Sequence, residues 1–137
     1  MKLLDTSAVV EIDRGNSPEK IKRLDTLGTH AISQVTVTEL FMGVEYRYDS
    51  GNDEYSDAKD EIEKLISRFK VLPIDRNVCL KAAKIVPDLK DKGRKVDDLH
   101  DTYIAATGVA NDLELLTGNP DHFQPVEDLD VMKWREF

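Results

Sequence analysis

Short apolar runs alternate along this chain with longer segments whose apolar residues recur every three or four positions. The short runs predict buried strands at 2–5, 30–33, 71–74 and 113–116. The longer segments predict helices after residue 5 and at 17–28, 37–48, 55–69, 78–89 and 97–111. Because strands alternate with helices, the pattern predicts an α/β fold with a mainly parallel central sheet of four or five strands and helices on both faces.

Local signals refine two of these helices. Thr6 or Ser7 is predicted to cap the first helix with a side-chain oxygen, which leaves Asp5 at the carboxyl end of the first strand. Pro87 removes one hydrogen bond from the helix at 78–89 and predicts a kink or a break there.

Length and composition are those of a single globular domain, which we take to be residues 1–137. No apolar run approaches the roughly 20 residues that cross a bilayer, and the opening sequence does not resemble a signal peptide. We therefore expect a cytoplasmic protein that does not act at a membrane. The single cysteine, Cys79, excludes an internal disulfide and a cysteine-built zinc site, and we expect it in the core.

The charge balance limits how this chain can contact nucleic acid. The net charge is -8, with 27 Asp and Glu residues against 19 Lys and Arg residues. Broad electrostatic capture of a polyanion depends on excess positive charge, so any RNA contact is expected to be local and assisted by a metal ion. Most acids are expected to be solvated surface residues, so each candidate acid needs a further argument.

Polar residues follow two predicted strands at their carboxyl ends, the edge at which parallel sheets bind ligands. Asp5 follows the first strand, and 117–121 follows the fourth. Glu39 and one acid of 97–101 lie on helices that can approach the same edge. Since Mg²⁺ and Mn²⁺ prefer oxygen ligands and retain several waters, a few convergent carboxylates would bind such an ion.

Helical geometry favours Asp101 among the acids that begin the last predicted helix. Asp101, Ala105 and Gly108 fall on one stripe at about 100° per residue, and the two small residues would let this helix approach the sheet closely. Asp97 and Asp98 lie at the helix start, where the helix dipole already explains an acid.

The three histidines, in contrast, are interpreted as packed or surface residues. His30, His100 and His122 have no neighbouring pattern that suggests a catalytic triad or a zinc site.

Four stretches together resemble the PIN-domain nucleases, and among them the VapC-like toxins of toxin–antitoxin pairs. These stretches, which occur in the order of the family and span nearly the whole chain, are 4–7, 32–40 with Gly43 behind it, 101–106 and 115–123. The resemblance implies a three-layer PIN-like fold and implies Asp5, Glu39 and Asp101 as the metal-binding acids.

The resemblance also implies hydrogen bonds around these acids from Thr6 or Ser7 and from Thr117. The fourth acidic position is altered. Many relatives have an acid two residues after the threonine, whereas this chain has Asn119, and either Asp121 acts instead or no residue does. Asn119 and Asp121 are therefore carried as catalytic candidates, and the number of metal ions stays open.

The implied activity is that of a Mg²⁺- or Mn²⁺-dependent endoribonuclease that leaves a 5′-phosphate and a 3′-hydroxyl by metal-assisted attack of water. The implied partners are an RNA substrate, a small VapB-like antitoxin and a second copy in a homodimer. The candidates for local phosphate contacts are Arg14, Lys92, Arg94 and Lys95, although the last three lie in a group, 92–95, that is more often a helix end and its exposed loop.

Three other functions have to be weighed against this one. A haloacid-dehalogenase-type phosphatase needs a second Asp two residues after the first, where this chain has Ser7. A phospho-receiver domain needs an acidic pair that is missing here. A PIN-like module that has lost catalysis at Asn119, and acts only by binding a protein or RNA partner, stays open.

Overall fold

The centre of the molecule is a parallel sheet, described here from a computed structural model that covers residues 1–94 and 98–137. Its strands are β1 (Leu3–Leu4), β2 (His30–Ser33), β3 (Phe69–Leu72), β4 (Leu115–Thr117) and β5 (Val131–Lys133). Two residues considered in the sequence analysis, Lys95 and Asp97, lie outside the described residues.

Helices connect these strands and cover both faces of the sheet. They are α1 (Thr6–Arg14), α2 (Pro18–Thr26), α3 (Gln34–Arg47), α4 (Asp53–Ile66), α5 (Arg76–Asp91) and α6 (Leu99–Asn111). Short 3₁₀ helices follow β4 and β5, at Pro120–His122 and Trp134–Glu136. Within 1–94 and 98–137, no helix has the length and apolar character needed to cross a membrane.

Consecutive residues of a strand face opposite sides of the sheet, and the two leucines of β1 show this clearly. Leu3 packs into a core with α5 and α6 that includes Ile104. Leu4 packs into a second core, which includes Leu24 of α2 and Leu65 of α4. The predicted three-layer α/β architecture is therefore confirmed.

The strand order places the carboxyl end of β1 at the centre of one sheet edge. The order is β3-β2-β1-β4-β5, and all neighbouring strands are parallel. In such sheets, ligands bind where the strand order reverses direction, which here is between β1 and β4. Asp5 follows β1 and Thr117 ends β4, so both residues lie at this point.

The predicted stripe of small residues on α6 is confirmed as a close contact with the sheet. A Cβ added to Gly108 would lie 2.7 Å from Cδ1 of Leu129 and 3.5 Å from Cδ2 of Leu3. Ala105, one turn earlier, is 1% exposed. This packing places Asp101, a further turn towards the start of α6, beside the carboxyl ends of the strands.

Some local predictions are wrong. Phe69 begins β3 instead of ending α4, and Leu113 precedes β4. Pro87 lies within α5, which runs on to Asp91, so the predicted break does not occur, while the predicted kink stays a prediction. Cys79 is exposed, since it lies one residue, or about 100° of helix, beyond the buried Val78.

Candidate active site

Asp5 is buried at the carboxyl end of β1, with 3% of its surface exposed. Its Oδ1 accepts a hydrogen bond from the backbone N–H of Ala8 at 3.0 Å, so Asp5 itself caps α1. The prediction that Thr6 or Ser7 caps this helix is wrong, because the chain enters α1 directly after the strand. A helix amino terminus favours negative charge, and the cap also fixes the direction of the carboxylate.

Two hydroxyl groups complete the environment of the Asp5 carboxylate. Ser7 Oγ donates to Oδ1 at 2.7 Å, and Thr117 Oγ1 donates to Oδ2 at 2.6 Å. Each hydroxyl oxygen also accepts a backbone N–H at 2.9 Å, from Gly118 to Ser7 and from Asn119 to Thr117. Because a hydroxyl has one proton and a backbone N–H can only donate, both hydroxyl protons point to Asp5.

Burial raises the pKa of the Asp5 carboxyl and outweighs the hydrogen bonds from Thr117, Ser7 and Ala8, which lower it. Those three bonds use three of the roughly four lone-pair positions of a carboxylate. The hydrogen-bond donors described for Asp5 are uncharged groups. The site therefore holds an oriented negative charge with an acceptor position to spare.

Asp101 lies in the first turn of α6, and its side chain is 26% exposed. Its Oδ2 is 2.9 Å from Nδ1 of His122, which lies in the 3₁₀ helix after β4. Burial and the negative charges of Asp98 and Asp5 raise the pKa of the Asp101 carboxyl, whereas His122 lowers it. Because the charge of Asp5 acts on the Asp101 carboxyl, the two residues lie within electrostatic range of each other.

Glu39 approaches the same region from α3, and its side chain is 24% exposed. Its Oε1 accepts a hydrogen bond of 2.7 Å from Thr6 Oγ1, the residue after Asp5. Its Oε2 lies 3.6 Å from Nδ1 of His100 on α6. Glu39 is thus connected to both α1 and α6, the helices that carry the neighbouring acids.

The loop after β4 contains the two remaining candidates, Asn119 and Asp121, which are both exposed. Asn119 contributes its backbone N–H to the Thr117 hydroxyl. Asp121 accepts a hydrogen bond of 2.9 Å at its backbone oxygen from Nη2 of Arg94. These contacts fix the loop next to Asp5, and they engage the main chains of both residues.

Two of the histidines contact site acids, which the sequence analysis did not expect. The interpretation of His30 as a packed residue is confirmed, since its ring nitrogens contact Leu24 O at 2.8 Å and the backbone N–H of Lys2 at 3.0 Å. His100 and His122 lie at the surface, as predicted, with side chains 42% and 59% exposed, and each also contacts one candidate acid. A usable signal existed, because both residues lie within or beside the stretches that supply the candidate acids.

The donor set suits a hard divalent cation. Among the described residues, no three Asp, Glu, His or Cys side chains already converge as a metal centre. Mg²⁺, however, is commonly bound through one or two carboxylates and keeps several waters. Asp5 and Asp101 are candidates for such a pair, because burial raises the pKa of each carboxyl and, among the described residues, no Lys or Arg bonds to either one. A cation bound at these residues would favour the charged form of both carboxyls.

Comparison with known proteins gives relatives along almost the whole chain. A protein named Ribonuclease VapC1 from Rickettsia felis is 33% identical over 132 residues, covering 95% of this chain and 93% of the relative. A second, with the same name, from Methanocaldococcus jannaschii is 30% identical over 92% of this chain and 81% of the relative.

Solved structures with the same fold give a consistent result. A chain of VapBC-1 from nontypeable Haemophilus influenzae has a TM-score of 0.84 and 26% identity, with 98% of both chains covered. A chain of DNA-bound VapBC from Salmonella typhimurium has a TM-score of 0.81 and 27% identity, with 98% of this chain and 99% of that chain covered. The family model for the PIN domain matches residues 2–128. This chain therefore belongs to the PIN-domain family.

Proposed function

We propose that this protein is a metal-dependent endoribonuclease and the toxin of a toxin–antitoxin pair. The observation that carries the proposal is the buried Asp5 carboxylate, which three donors orient at the point where the strand order reverses, within electrostatic range of Asp101. The two relatives named Ribonuclease VapC1 support the activity.

In this proposal Asp5 and Asp101 bind Mg²⁺ or Mn²⁺ directly, and Glu39 contributes from α3. The ion, when bound, lowers the pKa of a water and offsets charge on the phosphate during in-line attack. Ser7 and Thr117 hold Asp5 in place, so that little reorganisation is needed when the ion and RNA arrive.

The fourth acidic position of the family has a separate role in the proposal. Asn119 and Asp121 lie on the loop that orients Thr117, at the same sheet edge as Asp5. An Asn amide oxygen is a ligand of hard cations, although it brings no charge. We assign Asn119 and Asp121 to contacts with the water or phosphate, with the first ion held by the other three acids.

The test is cleavage of a single-stranded RNA by purified protein that has been freed of metal and then given Mg²⁺ or Mn²⁺. We expect cleavage only with the added ion, and products with 5′-phosphate and 3′-hydroxyl ends. Cleavage that is equally fast in excess chelator, or products with 2′,3′-cyclic phosphate, would contradict the proposed chemistry.

The alternative is a PIN-like module that binds a partner without catalysis, and Asn119 in place of an acid favours it. It predicts that RNA stays intact at every ion concentration while binding to RNA or protein persists. Replacing Asn119 by Asp separates the two readings. If the wild-type site is active, N119D should alter the rate and metal dependence of its RNA cleavage. If the wild-type site is inactive, N119D should produce RNA cleavage that the wild type lacks.

The proposed partner is a small antitoxin that inserts a basic segment beside Asp5, Glu39 and Asp101, where negative charge accumulates. We further propose that residues 1–137 act as one domain and that the protein forms a homodimer. Expression in a bacterial host should arrest growth, and co-expression of a small protein encoded next to this gene should restore it. Harmless expression of active nuclease would contradict the toxin role.

A further inference from the structure

A pocket of about 280 Å³ opens beside Asp101, and Glu39 is not among the residues that line it. It shares Asp101 and His122 with the candidate active site. We propose that this pocket binds one nucleobase of the RNA next to the cleaved phosphodiester and favours guanine. The inference rests on the proposed ribonuclease function and adds to it a specificity-determining subsite.

The walls of the pocket suit a base better than a phosphate or sugar. The apolar part of its lining comes from three elements, namely Ile85 and Leu89 of α5, Ala105 of α6 and Val126 of the loop before β5. A phosphate would lose hydration against these side chains, whereas a base presents two planar faces that pack on apolar surface. Unstacked bases of single-stranded RNA are recognised in this way, by stacking and by hydrogen bonds at their edges.

The polar groups of the pocket select among the bases. Arg94 and Asp98 line it, so a forked donor and a carboxylate acceptor face the same space. Guanine offers O6 and N7 as acceptors to an arginine, which is the commonest specific arginine–base contact. Guanine also offers adjacent N1–H and N2–H donors to a carboxylate. Adenine and the pyrimidines do not offer both edges together.

Both side chains are anchored and still keep groups for a ligand. Arg94 Nη2 donates to the backbone oxygen of Asp121 at 2.9 Å, which uses one of the five N–H donors of a guanidinium. Asp98 Oδ1 accepts from the backbone N–H of His100 at 2.8 Å, as the cap of α6, and among the described residues no donor to its second oxygen is found. Such anchoring lowers the entropic cost of binding a base.

The test uses an RNA library with a randomised internal segment, cleaved by the full-length protein with Mn²⁺ and sequenced at the cut ends. Wild type is expected to enrich guanine about tenfold at one position beside the cut. R94K keeps the charge and can still donate to Asp121 but loses the fork, and we expect the preference to disappear while cleavage continues. D98N keeps the helix cap, because Asn caps as well as Asp, and should also lose the preference.

R68Q is the matched control, since Arg68 pairs with Asp25 away from this pocket and its loss should leave both rate and preference unchanged. An unchanged guanine preference in R94K and D98N, or cleavage by wild type with no base preference beside the cut, would overturn the subsite. Absence of any metal-dependent cleavage by wild type would instead contradict the proposed function itself, so the two failures are distinguishable.

Discussion

Asp5 and Asp101 face the same candidate site, but the structure holds them in opposite ways. Asp5 belongs to a strand half, made of Asp5, Ser7 and Thr117, in which the carboxylate is 3% exposed and fixed by hydroxyl and backbone donors. Asp101 belongs to a helix half, made of Glu39, His100, Asp101 and His122. Its two acids are about one quarter exposed and contact exposed histidines.

The difference is that the Asp5 carboxylate is held in one orientation before any ligand binds, whereas the carboxylates of Glu39 and Asp101 can adjust. Of the donors to Asp5, Thr117 ends the central strand β4, and Ser7 and Ala8 lie in the first turn of α1, so the sheet and the helix fix their backbones. The helix half depends on side chains with 42% and 59% exposure, which can exchange their partners with water. We therefore infer that the strand half positions the metal ion and that the helix half adapts to ion and RNA together.

The largest effect is expected from removing either aspartate charge. D5N and D101N should each reduce Mn²⁺-dependent RNA cleavage by at least about 100-fold. Loss of a residue that only hydrogen-bonds to a metal ligand costs about 10–100-fold, and loss of a direct ligand should cost more. Raising the Mn²⁺ concentration should rescue D101N partly and D5N not at all. The measurement is kcat/KM across an Mn²⁺ series.

Circular dichroism and the unfolding midpoint supply the control for both variants, and Asn at position 5 can still cap α1. Activity close to wild type in either variant, with an intact fold, would break the assignment of that residue. Equal rescue of both variants by Mn²⁺ would remove the distinction between the two halves.

A smaller effect is expected from the hydroxyl that fixes Asp5. T117V removes the donor to Asp5 Oδ2 and the acceptor for the Asn119 N–H while nearly preserving shape, so activity should fall about 10–100-fold. T107V is the matched control, because Thr107 is equally buried but donates to Tyr103 O within α6. T107V should alter stability only; equal activity losses in both variants would argue against a positioning role for Thr117.

The smallest effect is expected from His122. His122 lowers the pKa of the Asp101 carboxyl, so H122A should raise that pKa further and leave more Asp101 protonated at a given acidic pH. An NMR titration of the metal-free protein would measure the shift, and cleavage at neutral pH should change only a few-fold. An unchanged or lowered Asp101 pKa would show that this contact is not maintained in solution.

The sequence predicts the strand half of the site better than the helix half. The apolar run that ends at Asp5 and the polar residues after the fourth strand place both groups at one edge, because parallel strands share that edge. The stripe of Ala105 and Gly108 also predicts how α6 meets the sheet, since small residues permit close packing.

What the sequence does not predict depends on side-chain direction. The capping role of Asp5 needs the exact residue at which β1 becomes α1, and hydroxyl residues at positions 6 and 7 are equally good caps by type. The contacts of His100 with Glu39 and of His122 with Asp101 join segments far apart in sequence. No local pattern encodes those pairings, although the histidines lie beside the candidate acids.

The most direct test of the account is to measure the affinity of wild type, D5N, D101N and the double variant for Mn²⁺. Electron paramagnetic resonance reports the concentration of free Mn²⁺ during each titration. The account predicts that D5N and D101N each weaken binding by about tenfold or more. It also predicts that the double variant loses less than the two single losses combined, because both carboxylates hold one ion. Wild-type affinity in either single variant would contradict a metal site shared by Asp5 and Asp101.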